Sequence, residues 1–150
     1  VPDKPDYYTV HMNIKKLFSG GITGAVAFFL LGWLIYGILL MDFMTKNPGA
    51  AGNIGKTSPD FLYLIIGNLA QGFLLAYIFV KANINNLLAG MVTGAVIGLL
   101  LAVSFDCMLY ATSTIISRTA MAADVVAATI MTAIVGAIVG KVIGMGKETT

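Results

Sequence analysis

The stretch Gly90-Met91-Val92-Thr93-Gly94-Ala95-Val96-Ile97-Gly98-Leu99-Leu100-Leu101-Ala102-Val103-Ser104-Phe105-Asp106 decides how this chain is built. Every fourth residue in it is Gly90, Gly94, Gly98, Ala102 and then Asp106. On a helix, positions four apart form one inclined ridge, so this ridge is nearly bare of side chains until it ends in a carboxylate. The residues around it are mostly Leu, Val, Ile and Met, which puts the helix in lipid. A second stretch carries a matching ridge in the opposite sense: Asp124, Ala128, Thr132, Gly136, Gly140, Gly144. Small residues at GxxxG-type spacing let helix backbones approach closely. Laid antiparallel, the two ridges set Gly90, Gly94 and Gly98 against Thr132, Gly136 and Gly140. The same pairing brings Asp106 and Asp124 to one end.

The totals agree with a membrane protein. Hydrophobic residues make up 58% of the 150 and charged residues 11%, against about 25% charged in a soluble domain. The mean hydropathy is +0.89. A formal net charge of +2 with no basic stripe gives no footprint for nucleic acid. The single cysteine, Cys107, rules out an intrachain disulfide and any metal site built on several thiolates. The one histidine, His11, lies outside the apolar segments, so no histidine ligand or acid–base group is available within them. No cofactor and no metal is expected. Signatures of phosphate loops, zinc hydrolases, redox dithiols and serine hydrolases are missing, so the chain is not read as an enzyme.

Four apolar segments are long enough to span a bilayer: about Leu17–Met41, Phe61–Val80, Leu87–Ala111 and Val125–Ile143. A hydrocarbon core of ~30 Å asks for ~20 residues of helix. Period-two alternation is missing, so a barrel is rejected. The expected fold is all-α: an antiparallel up-down four-transmembrane-helix bundle over residues 12–147, with 148–150 as a tail. Residues 1–11 are polar and end in His11-Met12, the pair that a common cloning site leaves before a start codon. They read as a tag remnant, with Met12 as the native start. Ser58-Pro59-Asp60 is a helix-start signal for the second segment. The tight polar turn Lys81–Asn86 predicts that segments two and three pack as antiparallel neighbours. Thr112–Ala123 is expected to be the connector between segments three and four.

Orientation follows from the cations. Lys15, Lys16, Lys81, Lys141 and Lys147 fall on one side, and Lys46, Lys56 and Arg118 on the other. Five against three places both termini in the cytoplasm. The acids Asp42, Asp60, Asp106 and Asp124 all fall toward the outer side.

Chemistry concentrates at that outer end. Asp106 lies seven residues beyond Leu99, ~10 Å from the centre of its segment and within a half-thickness of ~15 Å. A charge at the centre of a span costs ~2.5–3.5 kcal/mol on insertion scales, so the carboxylate should face protein or water. It is either a proton- or cation-binding group or a packed acid that bonds Tyr36 or Asn68 or pairs with Arg118. Asp124 reads as the opening residue of segment four, where an acid complements the helix dipole. If it meets Asp106, the two cannot both stay ionised cheaply, and a proton, a cation or Arg118 must sit between them. Asp42 joins this cluster or marks the water interface. The candidate ligand- or ion-binding set is therefore Asp106, Asp124, Asp42, Tyr36 and Asn68.

The run Leu31-Gly32-Trp33-Leu34-Ile35-Tyr36-Gly37-Ile38-Leu39-Leu40-Met41-Asp42-Phe43-Met44 resembles the first-helix signature of small four-helix bacterial inner-membrane proteins of unknown function. Asp106 and Asp124 look like the later acids of such proteins. The similarity would cover most of Asn13–Lys147, and the family brings no established activity or catalytic residue with it. Two functions follow as expectations. One is an outward-facing acidic pocket for a proton, cation or small cationic solute. The other is a structural or assembly subunit, in which Gly20, Gly24 and Gly32 form a free face for a homo-oligomer or a membrane-protein partner. A small multidrug-type exporter is disfavoured, because segment one has no acid before Asp42.

Overall fold

In the computed structural model, residues 12–52 and 54–145 are described. The tag-like residues 1–11 and the tail 148–150 lie outside them. The chain is all-helical: α1 Ile14–Leu34 continues through a π-helical turn, Ile35–Leu39, into the short α2 Met41–Lys46. Then come α3 Phe61–Lys81, α4 Leu87–Thr112 and α5 Arg118–Met145. Among the described residues, four helices are long and apolar enough to cross a membrane: Ile14–Leu39, α3, α4 and α5. At 1.5 Å per residue, α4 is about 39 Å long, enough for a ~30 Å core with an end to spare.

Local chemistry sets the boundaries. Asn13 caps α1 by accepting from the Lys16 N–H at 3.1 Å, Asp60 caps α3 through Leu62 at 3.2 Å, and Asn86 caps α4 through Ala89 at 2.8 Å. α3 ends on the left-handed residue Asn83 (φ +55°). The Ile84 N–H returns to the Phe79 carbonyl at 2.8 Å and the Asn83 N–H to Val80 at 3.4 Å, a Schellman closure. α5 starts six residues before Asp124, because the Ser117 hydroxyl accepts from the Ala120 N–H at 3.1 Å and caps the helix there. The connector expected over Thr112–Ala123 therefore shrinks to residues 113–117. Asp124 is well inside α5, too far from its start to cap it.

Packing gives a row of helices in the order α3, α1, α5, α4. Apolar burial joins α1, α3 and α5 around Phe28, Leu75, Phe79, Val135, Val139 and Ile143. Glycines admit the close approaches. A Cβ on Gly24 would sit 3.1 Å from both the Gly72 Cα and a Val139 methyl, and one on Gly20 would sit 3.1 Å from Ile143 and 3.2 Å from Ala76. Gly20 and Gly24 are therefore buried between helices of the same chain, and the free face expected of them does not exist. α4 packs chiefly on α5. Despite the short turn between them, α3 and α4 splay apart, which corrects the expectation that they pair. Each already has a closer partner, α1 for α3 and α5 for α4. Between them lies a crevice of about 100 Å³ lined by Phe28, Gln71, Leu75, Gly98, Leu101 and Thr132 among others.

The end of the bundle that carries α2 and the α4–α5 connection is tied by backbone. Gly49 donates to the Ile115 carbonyl at 3.2 Å and Ala51 to Thr114 at 3.1 Å, around an isolated Pro48–Ile116 bridge. The Ser117 hydroxyl donates to the Asn47 carbonyl at 2.7 Å. This clasp holds the segment after α2 to the α4–α5 connection, and so holds the π-helical turn near the N-terminal half of α5.

Candidate functional site

The seam between α4 and α5 is nearly backbone on backbone. A Cβ on Gly90 would meet the Gly136 carbonyl and lie 3.1 Å from the Gly140 Cα. On Gly94 it would meet the Thr132 carbonyl and lie 3.1 Å from the Gly136 Cα. On Gly98 it would come within 3.0 Å of the Ala128 carbonyl and closer still to the Thr132 side chain. Each step of four along α4 thus meets a step of four back along α5. Carried outward, the ladder brings Ala102 opposite Ala128 and Asp124, and Asp106 opposite Asp124 and Ala120. Ala102 and Ala120 are buried, as that register requires.

Asp106 is 3% exposed, and its Oδ2 has no hydrogen-bond partner. The Asp124 side chain lies against it within hydrogen-bonding range. Tyr36 brings its hydroxyl to the same place, within hydrogen-bonding range of Asp124. It does so from within the π-helical turn, where the Leu40 N–H reaches back five residues to the Ile35 carbonyl at 2.7 Å. Such a turn inserts one residue into the helix and rotates the residues beyond it, and it is frequent at functional sites. Asp106 lies six residues before the end of α4 and Asp124 six residues after the start of α5. At 1.5 Å per residue both carboxylates sit about 9 Å from those helix ends.

No family model, curated protein or solved structure matches this chain.

Asp42 and Asn68 are placed elsewhere. Asp42 is exposed on α2, outside the cluster. The Asn68 amide donates to the Leu64 carbonyl of its own helix at 2.7 Å and borders a groove between α1 and α3 with Ala25, Phe29 and Ile65. Arg118 pairs with neither acid. Its Nε donates to the Tyr110 hydroxyl at 2.8 Å, and its guanidinium lies 5.7 Å from the centre of that ring. Tyr110 stands one turn closer than Asp106 to the end of α4 and, with Arg118, lines an open groove of about 470 Å³. Among the described residues, no group of three or more His, Cys, Asp or Glu could hold a metal ion. Sequence reasoning missed the π-helical turn; Gly37 within it, stacked on Trp33, is its one visible trace.

Proposed function

We propose that the chain is a small multi-pass protein whose outer end binds a cationic species, a proton, a cation or a small cationic solute, between Asp106 and Asp124. One observation carries this reading. Two carboxylates share one site in the apolar part of a helix bundle, one of them is buried with an unpartnered oxygen, and the nearest arginine is turned to Tyr110 instead. Two bare negative charges at close range in a low dielectric repel strongly, so something positive belongs between them. Tyr36 offers a hydroxyl to the same occupant. The arrangement binds; it assembles no nucleophile, base and oxyanion donors, and no reaction is assigned to it. The lysine and arginine distribution supports both termini in the cytoplasm and the acid pair on the outer half, and the bacterial inner membrane is the setting that the resemblance of Leu31–Met44 implies.

The test is Asp106→Asn, which keeps shape and removes charge. Purified protein in liposomes should bind or take up at least one of proton, sodium, calcium and tetramethylammonium, and the variant should lose that at least tenfold. Unchanged binding and flux of all four would end the proposal.

A second reading, an assembly subunit, keeps Gly32 of the three glycines that the sequence suggests and adds a face of α3. A Cβ on Gly67 or Gly32 would meet nothing within 4 Å. Gln71, at the middle of α3, is exposed and makes no side-chain hydrogen bond among the described residues. An open glycine and an unpaired amide on lipid-facing helix are what a partner helix uses. Gln71→Leu should then reduce the particle size in detergent, and an unchanged size would count against it.

A further inference from the structure

We propose that the species held at the acid pair is a single proton, shared between Asp106 and Asp124 and exchanged with the outer side only. This rests on the reading of the pair as a binding site and names its occupant. The first ground is the oxygen supply. A calcium ion takes 6–8 oxygen ligands, and magnesium demands near-ideal octahedral geometry while keeping several waters. Here two carboxylates and the Tyr36 hydroxyl converge, and the backbone carbonyls around them belong to helices. A proton needs only two oxygens, and the Asp106 Oδ2 has none bound to it.

The second ground is space. Asp106 is 3% exposed, with Ala102 at 8% and Ala120 at 5% beside it. A hydrated ion or an organic ammonium group would have to displace packed helix to reach that carboxylate. The charged and titratable groups around Asp106 can be named by element. α5, the helix packed along α4, supplies Asp124, and the π-helical turn supplies Tyr36. On α4 itself Tyr110 is engaged by Arg118, and Cys107 is exposed. None of these neutralises the pair.

The third ground fixes the direction of exchange. Inward of Asp106 the seam closes: backbone lies on backbone at Gly98, Gly94 and Gly90, and the crevice beside Gly98 and Thr132 is lined mostly by apolar side chains. Level with Asp106, Asp124 is only half-buried, with the Tyr36 side chain beside it, and outward the helix ends open on the groove of Tyr110, Ser117 and Arg118. The proton enters past Asp124 and goes no further. The site therefore registers the acidity of the outer side and does not conduct.

The experiment uses the full chain in lipid vesicles. Infrared difference spectra should show a protonated-carboxyl band at neutral pH that is lost on alkalinisation, and that both D106N and D124N abolish. An internal pH dye should show no faster decay of an imposed gradient than in empty vesicles. D124N serves if D106N fails to fold, because its side chain is half-exposed. A band that neither variant alters, or gradient decay that depends on the protein, overturns the inference. If no such band exists but sodium, calcium or tetramethylammonium binds and D106N abolishes that binding, the proton is wrong and the binding site stands. If neither a band nor cation binding is found, both fall.

Discussion

Replacing Gly94 by alanine should part α4 from α5. The new methyl would lie 3.1 Å from the Gly136 Cα and nearer still to the Thr132 carbonyl. Carbon atoms rest at about 3.5–4.0 Å, so the helices must separate by roughly 1 Å at this level. Neither obstacle is a side chain that could swing aside; both are backbone of a continuous helix. Overpacking of this kind costs about 1–3 kcal/mol. The proper control is Gly67→Ala, at which a Cβ meets nothing within 4 Å. Both substitutions gain the same helix propensity, about 1 kcal/mol for alanine over glycine. Their difference therefore isolates the seam, and Gly94→Ala should be less stable than Gly67→Ala by about 1–3 kcal/mol. Equilibrium unfolding in mixed detergent micelles, followed by helical circular dichroism, reads that difference. Equal midpoints for the two variants would refute the close α4–α5 approach, and the pairing of Asp106 with Asp124 would go with it.

Other substitutions test the elements that hold the site. Ser117→Ala removes both the α5 cap and the bond to the Asn47 carbonyl, and should cost about 1.5–2.5 kcal/mol in the same assay. Gly49→Ala would drive a methyl into the Thr114 and Ile115 backbone; the clasp should open, read as faster hydrogen exchange at Gly49 and Ala51 with the core unaffected. Asn83→Ala puts a Cβ residue without a compensating amide at φ +55° and should lose about 1 kcal/mol, while Asn83→Gly should be neutral or better by a few tenths.

The four spans and the all-α fold were legible because lipid imposes a length and a backbone rule that few sequences meet by chance. The α4–α5 register was legible for a narrower reason: glycine at Gly90, Gly94, Gly136 and Gly140 is costly in a helix unless a neighbour needs the space. Where the sequence misleads, two signals compete. Chain continuity through Lys81–Asn86 argues that α3 and α4 pair. Packing decides otherwise, because Gly72 fits the α1 backbone at Gly21 and Ala25 while the α4 ridge fits α5. The small residues of α1 look free in the sequence for the same reason: nothing in Gly20 or Gly24 names Ile143 or Val139 as the neighbour. The start of α5 was obscured by Arg118 and Asp124, which look like loop residues until Ser117 is recognised as the cap.

Moving that boundary changes what Asp124 is for. As the first residue of a span, it would have a water-facing, dipole-complementing role that needs no partner. Two turns inside α5, the dipole effect has faded, since it falls off within the first turn. The carboxylate then has to be accounted for by its neighbours, and those are Asp106 and Tyr36. Helix packing alone would be better served there by another glycine or alanine, which would continue the ladder outward without a buried charge. The small-residue ridge brings the backbones together, and two turns below its outer end a second acid stands where the register puts it against the first. The ladder therefore does more than join α4 to α5: its spacing sets the separation of the two carboxylates, and any change that widens the seam should weaken whatever they hold.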